Sequence, residues 1–140
     1  MAQGNIALRV FLSLAGLFIL LVGIFHAFSG VRGDWIIGLV PPETIDAALD
    51  SQNRFYGATF LLHGVLLIYC ARDFNRFADI LKIVFAVMFF AGCVRGLAVL
   101  ASGWPTLQVS TLWIAEILLP PIAWLWLNNT LDRAVMPKQG

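Results

Sequence analysis

Charge is what this sequence has least of. Only 12% of its 140 residues are Asp, Glu, Lys or Arg, roughly half the share in a soluble domain. The net charge is +1, which leaves no basic footprint for a nucleic-acid partner. Histidine is nearly absent too: His26 and His63 are the two, and no HxxxH or ExxH spacing exists, which argues against a metal centre. Estimated depths for the two rings differ by more than about 10 Å at a helical rise, which disfavours bis-histidine haem. The two cysteines, Cys70 and Cys93, fall at different depths of separate apolar runs. They read as small apolar packers rather than a disulfide. No Ser–His or Cys–His arrangement sits at matching depth, and no phosphate-cradling glycine loop is present, so enzymatic chemistry has no visible machinery. Internal repeats and low-complexity tracts are missing as well.

Apolar residues fill the space. They make up 60% of the chain, and mean hydropathy is +0.86. Four runs approach the roughly 20 residues that a bilayer-spanning helix needs: 6–28, 52–71, 77–101 and 107–127. The expected fold is all-α: an integral membrane four-helix bundle, a single membrane domain over 1–140, with a short interfacial helix in the first outer loop. A cleaved signal peptide is the competing reading of the first run, with Ala27-Phe28-Ser29 as the small-x-small site. Against it, the basic n-region is Arg9 alone and the apolar stretch is long.

Basic residues set the expected orientation. Arg9, Arg72, Arg76, Lys82, Arg133 and Lys138 share one side, against Arg32 and Arg54 on the other. Both termini are therefore expected to be cytoplasmic, with the long loop 29–51 and the turn at Gly103-Trp104-Pro105-Thr106 outside. In the long loop Trp35-Ile36-Ile37 should dip into the interface. After Pro41-Pro42, the pattern Ile45, Ala48, Leu49 against Asp46 and Asp50 suits an interfacial helix.

The stretch 91–121 carries the most chemistry. Two apolar helices flank the turn, each with one ionisable residue: Arg95 about nine residues before it and Glu116 about eleven after. At 1.5 Å per residue both lie roughly 14–17 Å deep, so antiparallel helices would bring them level. A charge in hydrocarbon is costly unless paired, and an Arg95–Glu116 pair is the expected centre. In the second run Tyr56, Thr59, His63 and Cys70 share a stripe, and His63 reaches the same level. Arg54 opens that run, either as a headgroup anchor or turned inward to Glu116 or the long loop. The candidate polar layer is Arg95, Glu116, His63, Arg54 and Tyr56. Small residues recur at helix-packing spacings: Gly16/Gly23, Gly57/Gly64 and Gly92/Gly96. Pro120 and Pro121 withhold hydrogen bonds from the carbonyls of Glu116 and Ile117.

These residues resemble a known family. RFYGA at 54–58, RGLAVLASGWP at 95–105 and Glu116 look like the small bacterial membrane proteins catalogued as domain of unknown function 4345. In that family an Arg-x-x-Gly opens helix two, a second Arg lies in helix three, a Gly-x-Pro turn follows, and a Glu sits in helix four. Arg54, Gly57, Arg95, Gly103, Pro105 and Glu116 are the matching positions. The resemblance implies a four-helix fold in the bacterial inner membrane and no established activity. DoxX-type four-helix proteins, some associated with quinone-linked oxidation, are a looser second similarity.

The functional expectation is a non-enzymatic ligand-binding or accessory membrane protein. Its partners would be the lipid bilayer and a small amphipathic ligand such as a lipid, sterol or quinone, held between aromatic walls above the ionic layer. No cofactor and no nucleic acid is expected, and no protein partner is indicated. The alternative is a proton-coupled small-molecule exporter working through Glu116. Small multidrug exporters have a similar length but keep their working acid in helix one, where this chain has none.

Overall fold

The computed structural model of the protein describes residues 5–40 and 42–135. Pro41 and Lys138, used above, lie outside the described residues. The elements are α1 (Ile6–Ser29), a 3-10 segment (Gly30–Ile37), α2 (Ala47–Ala71), α3 (Ala78–Ser102) and α4 (Leu107–Val135). Among the described residues the fold is all-α. All four α-helices are long and apolar enough to span a bilayer, as a four-helix membrane bundle requires, and the protein is a multi-pass membrane protein.

Two boundaries differ from the hydropathy reading. The second helix begins at Ala47, so Ala48, Leu49 and Asp50 are its first turns and not a separate interfacial piece. Asp46 is the reason: its carboxylate accepts from the backbone N–H groups of Ala48 (3.4 Å) and Leu49 (3.2 Å), an N-cap that hydropathy does not register. The short helix of the loop lies earlier, on Gly30–Ile37, and ends at Gly38 with a left-handed φ of 78°. The fourth helix runs on to Val135 through Asn128, Asn129 and Thr130. Polar residues end a span without ending a helix.

The chain divides into two compact units: Met1–Val10 with Cys70–Gly140, and Phe11–Tyr69. In the first, Asn5 caps α1 by accepting from Leu8 N–H at 3.2 Å, and its amide donates to Thr130 Oγ1 of α4 at 3.3 Å. Leu8, Phe74, Leu81 and Leu127 are among this unit's fully buried side chains. Between α3 and α4 the chain turns at Gly103, whose φ of 89° and ψ of −179° belong to a region that is open essentially to glycine alone.

The second unit is built on glycine. Gly16 and Gly23 of α1 face Gly64 and Gly57 of α2, in antiparallel order. A Cβ at Gly64 would stand 2.7 Å from the carbonyl oxygen of Gly16, and one at Gly23 would stand 2.9 Å from that of Gly57. Backbone therefore meets backbone. In lipid, where apolar surfaces gain little by leaving the solvent, such close approach is what holds helices together.

This packing makes a graded prediction. Gly64→Ala pushes a methyl group onto backbone that cannot yield, and should cost about 1–3 kcal/mol. Gly96→Ala meets only the Trp113 ring at 3.3 Å and should cost less. Thermal unfolding in detergent compares the two, and Gly64→Ala is expected to melt lower.

Candidate functional site

The site is assembled by the α3–α4 seam of the first unit. Gly92 lets α4 come close: a Cβ there would lie 3.2 Å from Glu116 Cβ and 3.0 Å from Ile117 Cδ1. That approach brings the neighbouring Arg95 within reach of Glu116. The two form a fork: Arg95 Nε donates to Glu116 Oε2 at 2.8 Å, and Nη2 donates to Oε1 at 3.0 Å. Parallel charge-assisted bonds of this kind fix geometry as well as energy. The expected intramembrane ion pair is therefore present.

The fork is not sealed. The Arg95 side chain keeps 36% of its surface and Glu116 keeps 19%. Among the described residues no hydrogen bond engages Arg95 Nη1. One turn nearer the loop, the Trp113 indole donates to the Gly92 carbonyl at 2.9 Å, and its ring packs 5.7 Å from that of Trp104. This Trp113 bond ties α3 to α4 and escaped the sequence reading, because an indole in an apolar run looks like any other aromatic. Beyond Glu116, Pro120 and Pro121 lie inside an uninterrupted α4. The carbonyls of Glu116 and Ile117 thus lack their usual donors.

An apolar groove between α3 and α4 is lined by Phe85, Ala86, Phe89, Pro120, Pro121, Trp124 and Leu125. It lies on the far side of the fork from the Gly103 turn. The groove therefore lies farther along the seam than the fork, and these aromatic walls do not stand on the turn side of the ion pair.

The other candidate residues belong to the second unit. Arg54 donates through Nε to Asp50 Oδ2 at 2.8 Å and through Nη1 to the Phe28 carbonyl at 2.6 Å. It clamps the start of α2 to the end of α1. The i,i+4 spacing of Asp50 and Arg54 was a legible signal for this pair. Asp50 also accepts from Val31 N–H at 3.0 Å, seating the 3-10 segment. His63 Nδ1 lies 2.9 Å from the Thr59 carbonyl, one turn back in its own helix. Tyr56 is 55% exposed and meets Phe55 edge-on at 6.1 Å. His26 is bonded to Asp34 at 2.9 Å, a contact that required knowing how the loop folds back. Among the described residues no group of three His, Cys, Asp or Glu side chains is arranged to hold a metal.

Residues 7–127 match the sequence pattern of a family described as Domain of unknown function (DUF4345). Comparisons with curated proteins and with solved structures give no match.

The fork makes its own prediction. Arg95→Ala strands a carboxylate inside a span and should cost about 3 kcal/mol, the low end for a broken buried pair because this one is partly open. Arg54→Ala removes an exposed pair and should cost about 1 kcal/mol or less. The combined Arg95→Ala/Glu116→Ala change should recover part of the single-variant loss, a coupling that a double-mutant cycle in detergent measures directly.

Proposed function

Because the chain belongs to the DUF4345 family, whose description assigns no activity, we propose a role from the site itself. The protein is a non-enzymatic membrane protein whose Arg95–Glu116 fork recognises the polar end of a small amphipathic molecule of the lipid, sterol or quinone kind. The reading stands on the fork of the first unit alone, and His63, Arg54 and Tyr56 keep their own contacts within the second. One observation carries the reading: Arg95 keeps a partly exposed guanidinium whose Nη1 has no hydrogen bond among the described residues, on a helix apolar enough to span the bilayer. In hydrocarbon an open N–H donor seeks an oxygen. The carboxylate beside it cancels the charge, so an uncharged acceptor such as a carbonyl or hydroxyl oxygen suits the site better than an anion.

The same fork speaks against the exporter alternative. A proton-carrying Glu116 has to release two charge-assisted bonds in every cycle. Proton flux in proteoliposomes is expected to be the same with and without Glu116→Gln.

Native mass spectrometry from mild detergent tests the binding reading. The wild type should carry a small amphipathic molecule. Arg95→Met/Glu116→Met, an apolar replacement of the kind that buried pairs tolerate, should fold and arrive empty. A wild type with no bound molecule, or a double variant with undiminished occupancy, overturns the proposal. We also propose that both termini face the cytoplasm, on the charge asymmetry of the chain. A C-terminal fluorescent-protein fusion should accordingly fluoresce, and an alkaline phosphatase fusion at the same point should be inactive.

A further inference from the structure

The 3-10 segment is held to the end of α1 by one side chain with an unusual pair of partners. His26 Nδ1 lies 2.8 Å from the Val22 carbonyl oxygen. Its Nε2 lies 2.9 Å from Asp34 Oδ1. A carbonyl and an ionised carboxylate are both acceptors. A neutral imidazole has one N–H to give, and its other nitrogen presents a lone pair. Both bonds form together only when the ring carries two protons. With one proton, a nitrogen lone pair faces an oxygen lone pair.

We propose that His26 links Val22 and Asp34 in a proton-dependent latch, made by two bonds when the imidazole is doubly protonated and by one when it is not. It sits where a loosened contact has consequences. The 3-10 backbone lies directly on α1, since a Cβ at Gly33 would stand 2.9 Å from the Phe25 carbonyl oxygen and 3.1 Å from His26 Cα. The Trp35 ring meets Phe25 edge-on at 5.4 Å. Both contacts belong to the segment that Asp34 anchors.

The surrounding groups leave the proton on His26 as the variable. From α2, Asn53 Nδ2 approaches Asp34 Oδ1 at 3.5 Å and is permanently neutral. Asp50 and Arg54 of α2 are engaged with each other at 2.8 Å. Arg32, on the 3-10 segment, is exposed and keeps its charge throughout. The His26 and Asp34 side chains are 12% and 22% exposed, so neither is sealed inside the protein. A second proton on His26 therefore fastens the loop, and its loss leaves one of the two contacts.

Hydrogen–deuterium exchange of the full chain in nanodiscs tests this, with rates corrected for the intrinsic effect of pH. In the wild type, exchange over 30–38 should slow about tenfold between pH 8 and pH 5, the scale of a hydrogen bond to a charged group. His26→Gln, which has no ionisable ring, should show no such slope. Asp34→Asn reverses the logic: its amide donates to the neutral imidazole, so protection should be present at pH 8 and should not rise on acidification. Asp50→Asn should loosen the segment at every pH while keeping the slope. A flat wild-type profile, a slope retained in His26→Gln, or a slope lost in Asp50→Asn overturns the latch.

Discussion

Hydrocarbon offers no hydrogen-bond partner, and that constraint shows in where the polar side chains with a bond in these helices point. Two answers recur. One is to turn back onto the helix's own backbone, as Thr59 does toward Phe55, Thr111 toward Leu107 and Thr130 toward Trp126, all at 2.8–3.2 Å. The histidine rings do the same toward carbonyls four residues earlier. The other answer is to cross to a neighbouring element, as in the Arg95–Glu116 fork and the Trp113 indole on the Gly92 carbonyl. Among the described residues no buried side-chain nitrogen or oxygen is left without a partner.

Crossing requires proximity, and proximity is supplied by the smallest residue. A guanidinium can embrace a carboxylate on the next helix only if the helix axes are near, and Gly92 provides this by putting α4 backbone and Glu116 Cβ against a hydrogen in place of a methyl group. The stripes on α1 and α2 extend the same device over two turns of heptad spacing. Packing and polar satisfaction are thus one problem here. A methyl group added at the seam separates the helices and also lengthens the bonds between them.

Much of this was legible in the residues, and the failures have physical causes. Depth arithmetic found Arg95 and Glu116 because both are isolated in long apolar runs joined by a short turn, where register leaves little freedom. The glycine spacings were visible for the same reason. The start of α2 was not, since ETIDAALD is too polar for a span and its helicity rests on an Asp46 cap that hydropathy does not weigh. The end of α4 was missed because NNTLDR leaves the apolar zone while the backbone continues. The His26–Asp34 contact lay beyond reach altogether. It depends on eight residues winding as a 3-10 segment, on a left-handed Gly38 and on a carboxylate returning to the helix that precedes it, and no periodicity encodes such a return.

Among the described residues, the two ion pairs with a partner across elements differ in the permanence of their cations. A guanidinium keeps its proton at any pH the cell meets, so the positive half of the Arg95–Glu116 fork is fixed, and such a pair is suited to holding a polar end in one orientation. An imidazole holds its charge conditionally. Bond lengths of 2.8–2.9 Å in both cases therefore join different cations: one keeps its charge, the other can lose a proton. The permanent pair lies well inside its helices, and the conditional one lies in the last turn of α1 beside the 3-10 segment. A histidine at the position of Arg95 would leave Glu116 facing a lone pair whenever the ring lost its charge, and an arginine at the position of His26 would make the loop contact insensitive to protons. The proposed recognition at the fork and the proposed latch at the loop therefore rest on separate side chains with different proton chemistry.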